Sequence, residues 1–137
     1  MAYAQWVSVT IVNIVNSGII SVQDAYVLWG KFYEGDNKNN EIQPAQVNKT
    51  TVAPGAQVTV AASGRSDSSS GVEGGFNIHL GGQKICGVYF NCPWGEKTND
   101  FQIRDYDPAT SPYHINTSPI NRDSGALGNV TVTVLLR

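Results

Sequence analysis

Charged residues are scarce in this sequence of 137 residues. They make up 15% of the chain, whereas an average soluble protein carries about 25%. Lys and Arg total 9 against 11 Asp and Glu, which gives a formal net charge of −2. A protein that binds duplex nucleic acid needs a basic face to offset the phosphate charge. Because this composition can hardly supply such a face, it argues against nucleic acid as the main partner.

A long apolar run is missing as well. No stretch approaches the ~18 consecutive apolar residues of a membrane-spanning helix, and Ser8, Thr10 and Asn13 interrupt the apolar segment near the start. The first residues, MAYAQWV, contain no basic segment, so we expect no secretory signal peptide. We therefore expect a protein that stays in the cytoplasm or is exported by a non-conventional route. Its length is typical of a single domain, over residues 1–137.

Cysteine is rare, since the sequence contains only Cys86 and Cys92. An extended segment would hold their α-carbons ~20 Å apart, whereas a disulfide requires ~4.4–6.8 Å. No CxxC motif and no neighbouring pair of histidines accompanies them, which argues against a zinc site. We expect two reduced and buried thiols, and we expect no metal ion or other cofactor.

Recognisable catalytic motifs are also absent from the sequence. Neither His79 nor His114 belongs to a nucleophile motif such as GxSxG or to a metal motif such as HExxH. Both histidines are therefore interpreted as structural. The segment SSGVEGG lacks the GK[ST] of a phosphate-binding loop, and GDNKNNE lacks the ligand spacing of an EF-hand. We expect no enzymatic activity, and a hydrolase that uses paired acids such as Asp67 and Glu73 is kept as an alternative.

The sequence is rich in the patterns of β-strands. In residues 5–15, Val7, Val9 and Ile11 alternate with Trp6 and with small polar residues, which is the period of two of a half-buried strand. Residues 19–33 contain one or two further strands, and residues 34–40 and 63–74 are interpreted as polar loops. Other strands are expected at residues 57–62, 75–80, 84–90, 101–106, 113–117 and 130–136. Short strands at this spacing, with no convincing helix, favour a β-sandwich or a small barrel.

Aromatic residues stand in polar segments that form turns. Trp94 lies between Pro93 and Gly95, which predicts a turn that presents the indole ring to solvent. Trp29 precedes Gly30 at the end of an expected strand. Indole rings favour membrane interfaces, and their faces attract ammonium groups such as choline or ethanolamine.

Cations near these rings would complete a headgroup site, because Lys97 or Arg65 could contact a phosphate. A lone tryptophan in a β-protein nevertheless packs more often than it binds a ligand. That alternative applies most to Trp6, whose position within a strand suits packing.

Several short motifs, taken together and in order, resemble the aegerolysin family over nearly the whole length. These motifs are AYAQWV from residue 2, WGK from residue 29, GD from residue 35, GRSD from residue 64, GGF from residue 74, CPWG from residue 92 with KTN from residue 97, and DSGALG from residue 123. The resemblance implies an all-β, actinoporin-like sandwich of the aegerolysin type in one domain.

The resemblance also implies a function. Aegerolysins are soluble proteins without enzymatic activity that bind membranes containing ceramide phosphoethanolamine, or sphingomyelin with cholesterol. Several act as the lipid-recognising component of a two-component cytolysin and recruit a larger partner of the membrane-attack-complex/perforin class. The alternative is a lectin-like β-sandwich that binds carbohydrate, since exposed Trp and Tyr rings also stack on sugars.

The lipid-binding residues carried over from the resemblance follow its motifs. They are Trp6, Trp29, Trp94, Lys97, Arg65, Asp67 and Ser70. Ser70 stands where some relatives have Glu in the loop after GRSD, and in this chain an acid occurs instead at Glu73. The residues leave open whether the headgroup is choline or ethanolamine.

Overall fold

A computed structural model describes residues 2–137 of the protein. Buried and partly exposed residues alternate along its first strand. Val7, Val9 and Ile11 are fully buried, whereas Trp6, Ser8 and Thr10 between them are partly exposed. This pattern is that of a strand with one face on the core. Met1, with which the expected domain begins, lies outside the described residues.

The described part of the chain forms eleven strands and very little helix. The strands are β1 (Trp6–Asn13), β2 (Ile20–Trp29), β3 (Lys31–Glu34), β4 (Asn37–Ile42), β5 (Thr51–Val52), β6 (Gln57–Ser63), β7 (Val72–Leu80), β8 (Gln83–Cys92), β9 (Asp100–Arg104), β10 (Tyr113–Thr117) and β11 (Gly128–Leu136). A 3₁₀ turn at Ala2–Ala4 and the short helix α1 (Pro44–Val47) complete the elements.

Two sheets enclose the core. One has six strands in the order β10-β11-β1-β6-β3-β4, and the other has five in the order β5-β2-β7-β8-β9. All pairs are antiparallel except β1 with β11, which are parallel. Phe32 of the first sheet meets Phe90 of the second edge to face, with ring centroids 6.4 Å apart. The expected all-β sandwich is confirmed.

The loop predicted over residues 34–40 is wrong in most of its length. Glu34 pairs with Asn37 across Gly35 and Asp36, whose φ angles are 72° and 57°. Two central residues with positive φ form the type I′ turn that joins antiparallel strands tightly. The polar residues that follow are therefore the edge strand β4, and their polarity reflects its exposure to solvent.

Two further details differ from the sequence prediction. The chain does contain a helical turn, α1, which begins at Pro44 and buries Val47 against the core. The loop predicted over residues 63–74 is shorter, because Ser63 ends β6 and β7 already begins at Val72. Both termini of that loop are therefore fixed by strands, which limits where its residues can lie.

The two thiols are free and buried, as expected. Burial raises the pKa of Cys86 to about 12 and also raises the pKa of Cys92. Both side chains therefore stay protonated at neutral pH and pack as small apolar groups. None of the helices in residues 2–137 is long and apolar enough to cross a bilayer.

Candidate functional site

Strand ends gather the aromatic residues at one end of the sandwich, which we call the aromatic end. Strand β2 ends there with Trp29, and β8 ends there with Cys92, directly before Pro93 and Trp94. Strand β7 runs antiparallel to both and begins there, so that Glu73 pairs with Trp29 on one side and with Asn91 on the other. The antiparallel order thus brings together residues that are far apart in sequence.

A groove of about 750 Å³ opens at this end, and we call it the aromatic groove. Its walls include Trp29, Ser70, Glu73, Trp94 and Lys97. The two tryptophans are 58% and 42% exposed, and both are among the most exposed large apolar side chains of the described chain. Two large apolar side chains that are exposed in one groove are typical of an interaction site.

Gly71 allows the loop before β7 to lie against the turn that carries Trp94. Its φ of 52° is in the left-handed region. A Cβ atom at this position would collide with the carbonyl oxygen of Cys92 and come within 2.7 Å of the backbone nitrogen of Trp94. Only glycine combines this conformation with this close approach. The position of Trp94 beside Ser70 therefore depends on Gly71.

The groove contains side chains of both charges. Lys97 is exposed on one wall and forms no ion pair within residues 2–137. Glu73 accepts a hydrogen bond of 2.6 Å from the Tyr89 hydroxyl. Burial, together with the hydrogen bond to Glu73, raises the pKa of Tyr89 to about 12. Tyr89 therefore remains a protonated donor, and it fixes the position of the Glu73 carboxylate.

Trp6 lies outside the aromatic groove. It begins β1 in the six-stranded sheet and lines a separate hollow of about 430 Å³ with Tyr33 and Lys38. The ammonium of Lys38 sits 5.3 Å from the centre of the Trp6 ring, and it donates a hydrogen bond of 2.8 Å to the carbonyl of Tyr3. These contacts hold the first turn of the chain against β4. They are packing contacts of the kind that the sequence left as an alternative for Trp6.

Arg65 and Asp67 also lie outside the groove. The guanidinium of Arg65 donates to both carboxylate oxygens of Glu41, at 2.8 and 3.0 Å. This contact with Arg65 lowers the pKa of Glu41, and the hydrogen bond from Arg65 is the largest cause. Asp67 acts on Arg65 electrostatically. The GRSD loop is thereby tied to β4, and its cation is already occupied by a carboxylate.

The structure thus assembles four of the seven predicted site residues, namely Trp29, Ser70, Trp94 and Lys97, in one groove. Ser70 shares a hydrogen bond of 2.7 Å with Ser68. Glu73 was not among the predicted residues, although it lines the same groove. Its signal in the sequence is weak, namely an acid that follows the GRSD loop close to Ser70.

The histidine, cysteine and acidic side chains are the residue types that could hold a metal ion. No group of three or more His, Cys, Asp or Glu side chains that could hold a metal ion occurs in residues 2–137. His114, one of the two histidines considered from the sequence, is exposed, and His79 is partly buried in β7.

This chain is similar to known proteins over nearly its whole length. Residues 4–137 match the family model Aegerolysin. Asp-hemolysin of Aspergillus fumigatus is 42% identical over 133 residues, covering 97% of this chain and 94% of that protein. Aegerolysin Aa-Pri1 of Cyclocybe aegerita is 37% identical over 137 residues, covering 98% of this chain and 92% of that protein.

A solved structure shows the same fold. The crystal structure of IP-1A from Alcaligenes faecalis superimposes with a TM-score of 0.88 at 35% identity, covering 99% of this chain and 94% of that one. The family match and the identity to these relatives extend over nearly the whole sequence. This chain belongs to the aegerolysin family.

Proposed function

We propose that this protein binds membranes that contain sphingolipids and uses the aromatic groove to hold the lipid headgroup. The observation that carries the proposal is the pair of exposed indoles, Trp29 and Trp94, beside the unpaired ammonium of Lys97. The ligand is a zwitterionic headgroup, either ceramide phosphoethanolamine or sphingomyelin with cholesterol. Neither indole is needed to fill the core, so both are free to enter the membrane interface.

The chemistry of the groove fits such a headgroup. Indole faces attract an ammonium group by cation–π interaction, and a lysine ammonium pairs with a phosphate. The exposed rings also suit the boundary between lipid headgroups and acyl chains. The low charge of the chain gives it little general attraction to anionic lipids, which would require clustered basic residues. Recognition therefore depends on the local groove, and the protein acts at the membrane surface.

A second part of the proposal concerns a partner. Family membership supports a role as the lipid-recognising component of a two-component cytolysin, without enzymatic activity of its own. The relative named Asp-hemolysin agrees with a cytolytic context. We propose that the membrane-bound protein recruits a larger pore-forming protein of the membrane-attack-complex/perforin class.

Binding to a panel of liposomes tests the proposal that the protein binds sphingolipid membranes. The protein is mixed with vesicles of phosphatidylcholine that contain ceramide phosphoethanolamine, sphingomyelin, or sphingomyelin with cholesterol, and binding is followed by co-sedimentation and tryptophan emission. Binding with a blue shift in at least one sphingolipid mixture supports the proposal. Absence of binding to every mixture contradicts it. A glycan array that is positive with lipid-free sugars would then favour a carbohydrate-binding module.

The partner part needs a separate measurement. Release of a fluorescent dye from vesicles that bind the protein is recorded with and without a perforin-like protein from the same source. Release that requires both proteins supports recruitment. Equal release by the perforin-like protein alone contradicts it, and leaves the lipid-binding proposal intact.

A further inference from the structure

Strand β6 is paired along its whole length on one side and only in part on the other. All of its residues, 57–63, pair with β1, whereas β3 pairs only with residues 61–63. Beyond Ala61, β3 leaves β6, because the turn at Gly35 and Asp36 leads the chain into β4. Within residues 2–137, the part of β6 over residues 57–60 therefore forms an open strand edge.

The strand register shows which backbone groups this edge offers. Asn13 donates from its nitrogen to the Ala56 oxygen, and alternate residues from Ala56 onward therefore bond to β1. The residues between them, Gln57 and Thr59, point their N–H and C=O groups away from β1. These groups form no hydrogen bond with another part of the described chain. The edge thus offers two donors and two acceptors, spaced about 7 Å apart along the strand.

A groove of about 660 Å³ lies along this edge, and we call it the edge groove. Thr59 lines one wall, and Gln46 and Lys49 from the segment around α1 line another. Val47 and Val60, which are buried, add apolar surface to the lining. Among the described residues, none lines both the edge groove and the aromatic groove. The two sites could therefore be occupied at the same time.

Carboxylates lie at the end of the edge groove where β3 leaves the sheet. Glu34 ends β3, Asp36 follows in the turn, and both line the groove. Neither carboxylate forms an ion pair with any residue from 2 to 137. Burial raises the pKa of Tyr33, and the charge of Asp36 raises it further, which places Asp36 close to this wall. This end of the groove is thus suited to a cation.

We propose that the edge groove binds an extended segment of another protein, which adds to the six-stranded sheet as a short strand antiparallel to β6. Main-chain hydrogen bonds to an open edge supply affinity in this mode of binding, and alternate side chains supply specificity. Both present neighbours of β6 are antiparallel to it, and an added strand with the direction of β3 would begin near Glu34 and Asp36.

The groove also defines the sequence of the partner segment. Its residue opposite Thr59 would share the exposed face of that residue, and the next side chain would point to the buried side, where Val47 and Val60 lie. Basic residues at its N-terminal end would pair with the free carboxylates of Glu34 and Asp36. The partner is therefore a segment of basic residues followed by alternating polar and aliphatic residues.

The peptide acetyl-Lys-Lys-Thr-Val-Thr-Val-amide is the probe, and its binding to isotope-labelled protein is followed by the amide chemical shifts in NMR spectra. The largest shifts should occur at residues 57–60 and at Lys49. N-methylation of the first Thr, whose N–H would face Thr59, should weaken binding about fivefold, which is the loss of one hydrogen bond. N-methylation of the first Val is the matched control, because its N–H would face away from β6, and binding should stay unchanged.

Substitutions in the protein test the same edge. Thr59→Pro removes the N–H that faces the groove and leaves the ladder with β1 in place, so it should weaken peptide binding about fivefold. Thr59→Val is its control, because it removes the hydroxyl that shares a hydrogen bond of 3.1 Å with Thr10 but keeps the N–H. Glu34→Gln with Asp36→Asn should weaken binding about threefold at low salt and much less at high salt.

The outcomes decide for or against an added strand. Equal affinities of the two N-methylated peptides, shifts confined to other strands, or no binding of the parent peptide at millimolar concentration would overturn the inference. The comparison of the two peptides uses the wild-type protein, so it decides even if Thr59→Pro fails to fold. Shifts at residues 57–60 that appear only with rising protein concentration or only with neutral oligosaccharides would assign the groove to self-association or to carbohydrate, and would also overturn it. Vesicle binding is measured separately and does not depend on the result.

Discussion

The two ends of the sandwich differ in whether they expose aromatic side chains. The aromatic end exposes Trp29 and Trp94, together with the aliphatic Leu28. At the opposite end, which we call the far end, β1 and β11 finish and β2 begins. That end exposes Ile14, Ile19 and Leu136, each more than half accessible. The amount of exposed apolar surface alone therefore does not tell which end binds a ligand.

The difference lies in what surrounds the apolar groups. At the aromatic end, rings with polar edges enclose a cation and a fixed carboxylate in one groove. The exposed side chains of the far end are purely aliphatic, and isolated surface aliphatics are ordinary in soluble proteins. Amphipathic rings suit the membrane interface, and opposite charges held apart can distinguish headgroups. The proposed recognition of a headgroup rests on this combination.

Replacing the rings should have the largest effect. The double substitution Trp29→Ala with Trp94→Ala should lower vesicle affinity about a thousandfold, since each ring is expected to contribute as much as an interface hot spot. Because both rings are largely exposed, the melting temperature should change little. Co-sedimentation with sphingolipid vesicles and thermal unfolding measure the two quantities.

The matched control is Ile14→Ala with Ile19→Ala at the far end. This variant removes a comparable set of exposed apolar groups and should bind vesicles as the wild type does. Equal losses in the two double variants would show that binding follows general exposure of apolar surface, and the distinction between the ends would fail.

Two glycines, one at each end of the sandwich, allow the two ends to be compared in backbone conformation as well. Gly71 at the aromatic end and Gly81 at the far end both have positive φ, of 52° and 61°. A Cβ at Gly71 would collide with the Cys92 carbonyl, whereas a Cβ at Gly81 would meet nothing within 4 Å. Gly71→Ala should therefore cost about 1–3 kcal/mol of stability and weaken vesicle binding by moving Trp94.

Gly81→Ala isolates the effect of backbone conformation. It should cost about 1 kcal/mol and leave vesicle binding unchanged. Chemical denaturation, with binding assayed in parallel, compares the two variants. A Gly71→Ala protein with unchanged binding would mean that the turn carrying Trp94 does not depend on the loop before β7.

Much of the fold could be predicted from the sequence, because apolar and polar residues alternate wherever one face of a strand is buried. The strand containing Val7, Val9 and Ile11 is the clearest case. Prediction failed at the edge strand β4, where every residue before Ile42 is polar and most of them are exposed. Apolar and polar residues therefore do not alternate along β4, and only the pair Gly35-Asp36 indicated the turn before it.

The site was predicted less completely. The turn CPWG indicates the exposure of Trp94, because Pro and Gly act locally. That Trp29 faces Glu73, and that Arg65 is already paired with Glu41, depend on strand register and on contacts between distant segments. Single-residue patterns do not encode such pairings. The sequence therefore names Arg65 as a candidate phosphate ligand without showing its pairing with Glu41, and it does not show that Glu73 lines the groove.

Substitution of Trp6 tests whether the proposed lipid-binding surface extends beyond the aromatic groove. Its ring lies in a separate hollow, next to Lys38. Trp6→Phe should therefore change vesicle affinity by less than about threefold, since a phenyl ring keeps most of the apolar area. Trp29→Phe, the matched variant inside the groove, should lose about fivefold, because phenylalanine attracts ammonium groups less than tryptophan does. A larger loss in Trp6→Phe than in Trp29→Phe would extend the binding surface onto the six-stranded sheet.

The smallest expected effect concerns an ion pair at each end. Arg65 pairs with Glu41 near the aromatic end, and Lys84 pairs with Asp105 at the far end, at 2.8 and 2.7 Å. The hydrogen bond from each basic partner lowers the pKa of Glu41 and of Asp105. A carboxyl group with a lowered pKa in the folded state stabilises the fold above its unfolded pKa, and this contribution is lost as the pH falls through the folded pKa.

Glu41→Gln should accordingly destabilise the protein at neutral pH and lose its effect in acid. Because both partners are partly exposed to solvent, the cost should be at most about 0.5 kcal/mol. It should vanish once the pH is well below the ordinary Glu value of 4.5, where the folded wild type is also protonated. Asp105→Asn should show the same direction with a smaller size, since the Asp105 side chain is more exposed. Thermal unfolding between neutral and acidic pH measures both, and a Glu41→Gln effect that persists in acid would assign Glu41 a role in packing that does not depend on its charge.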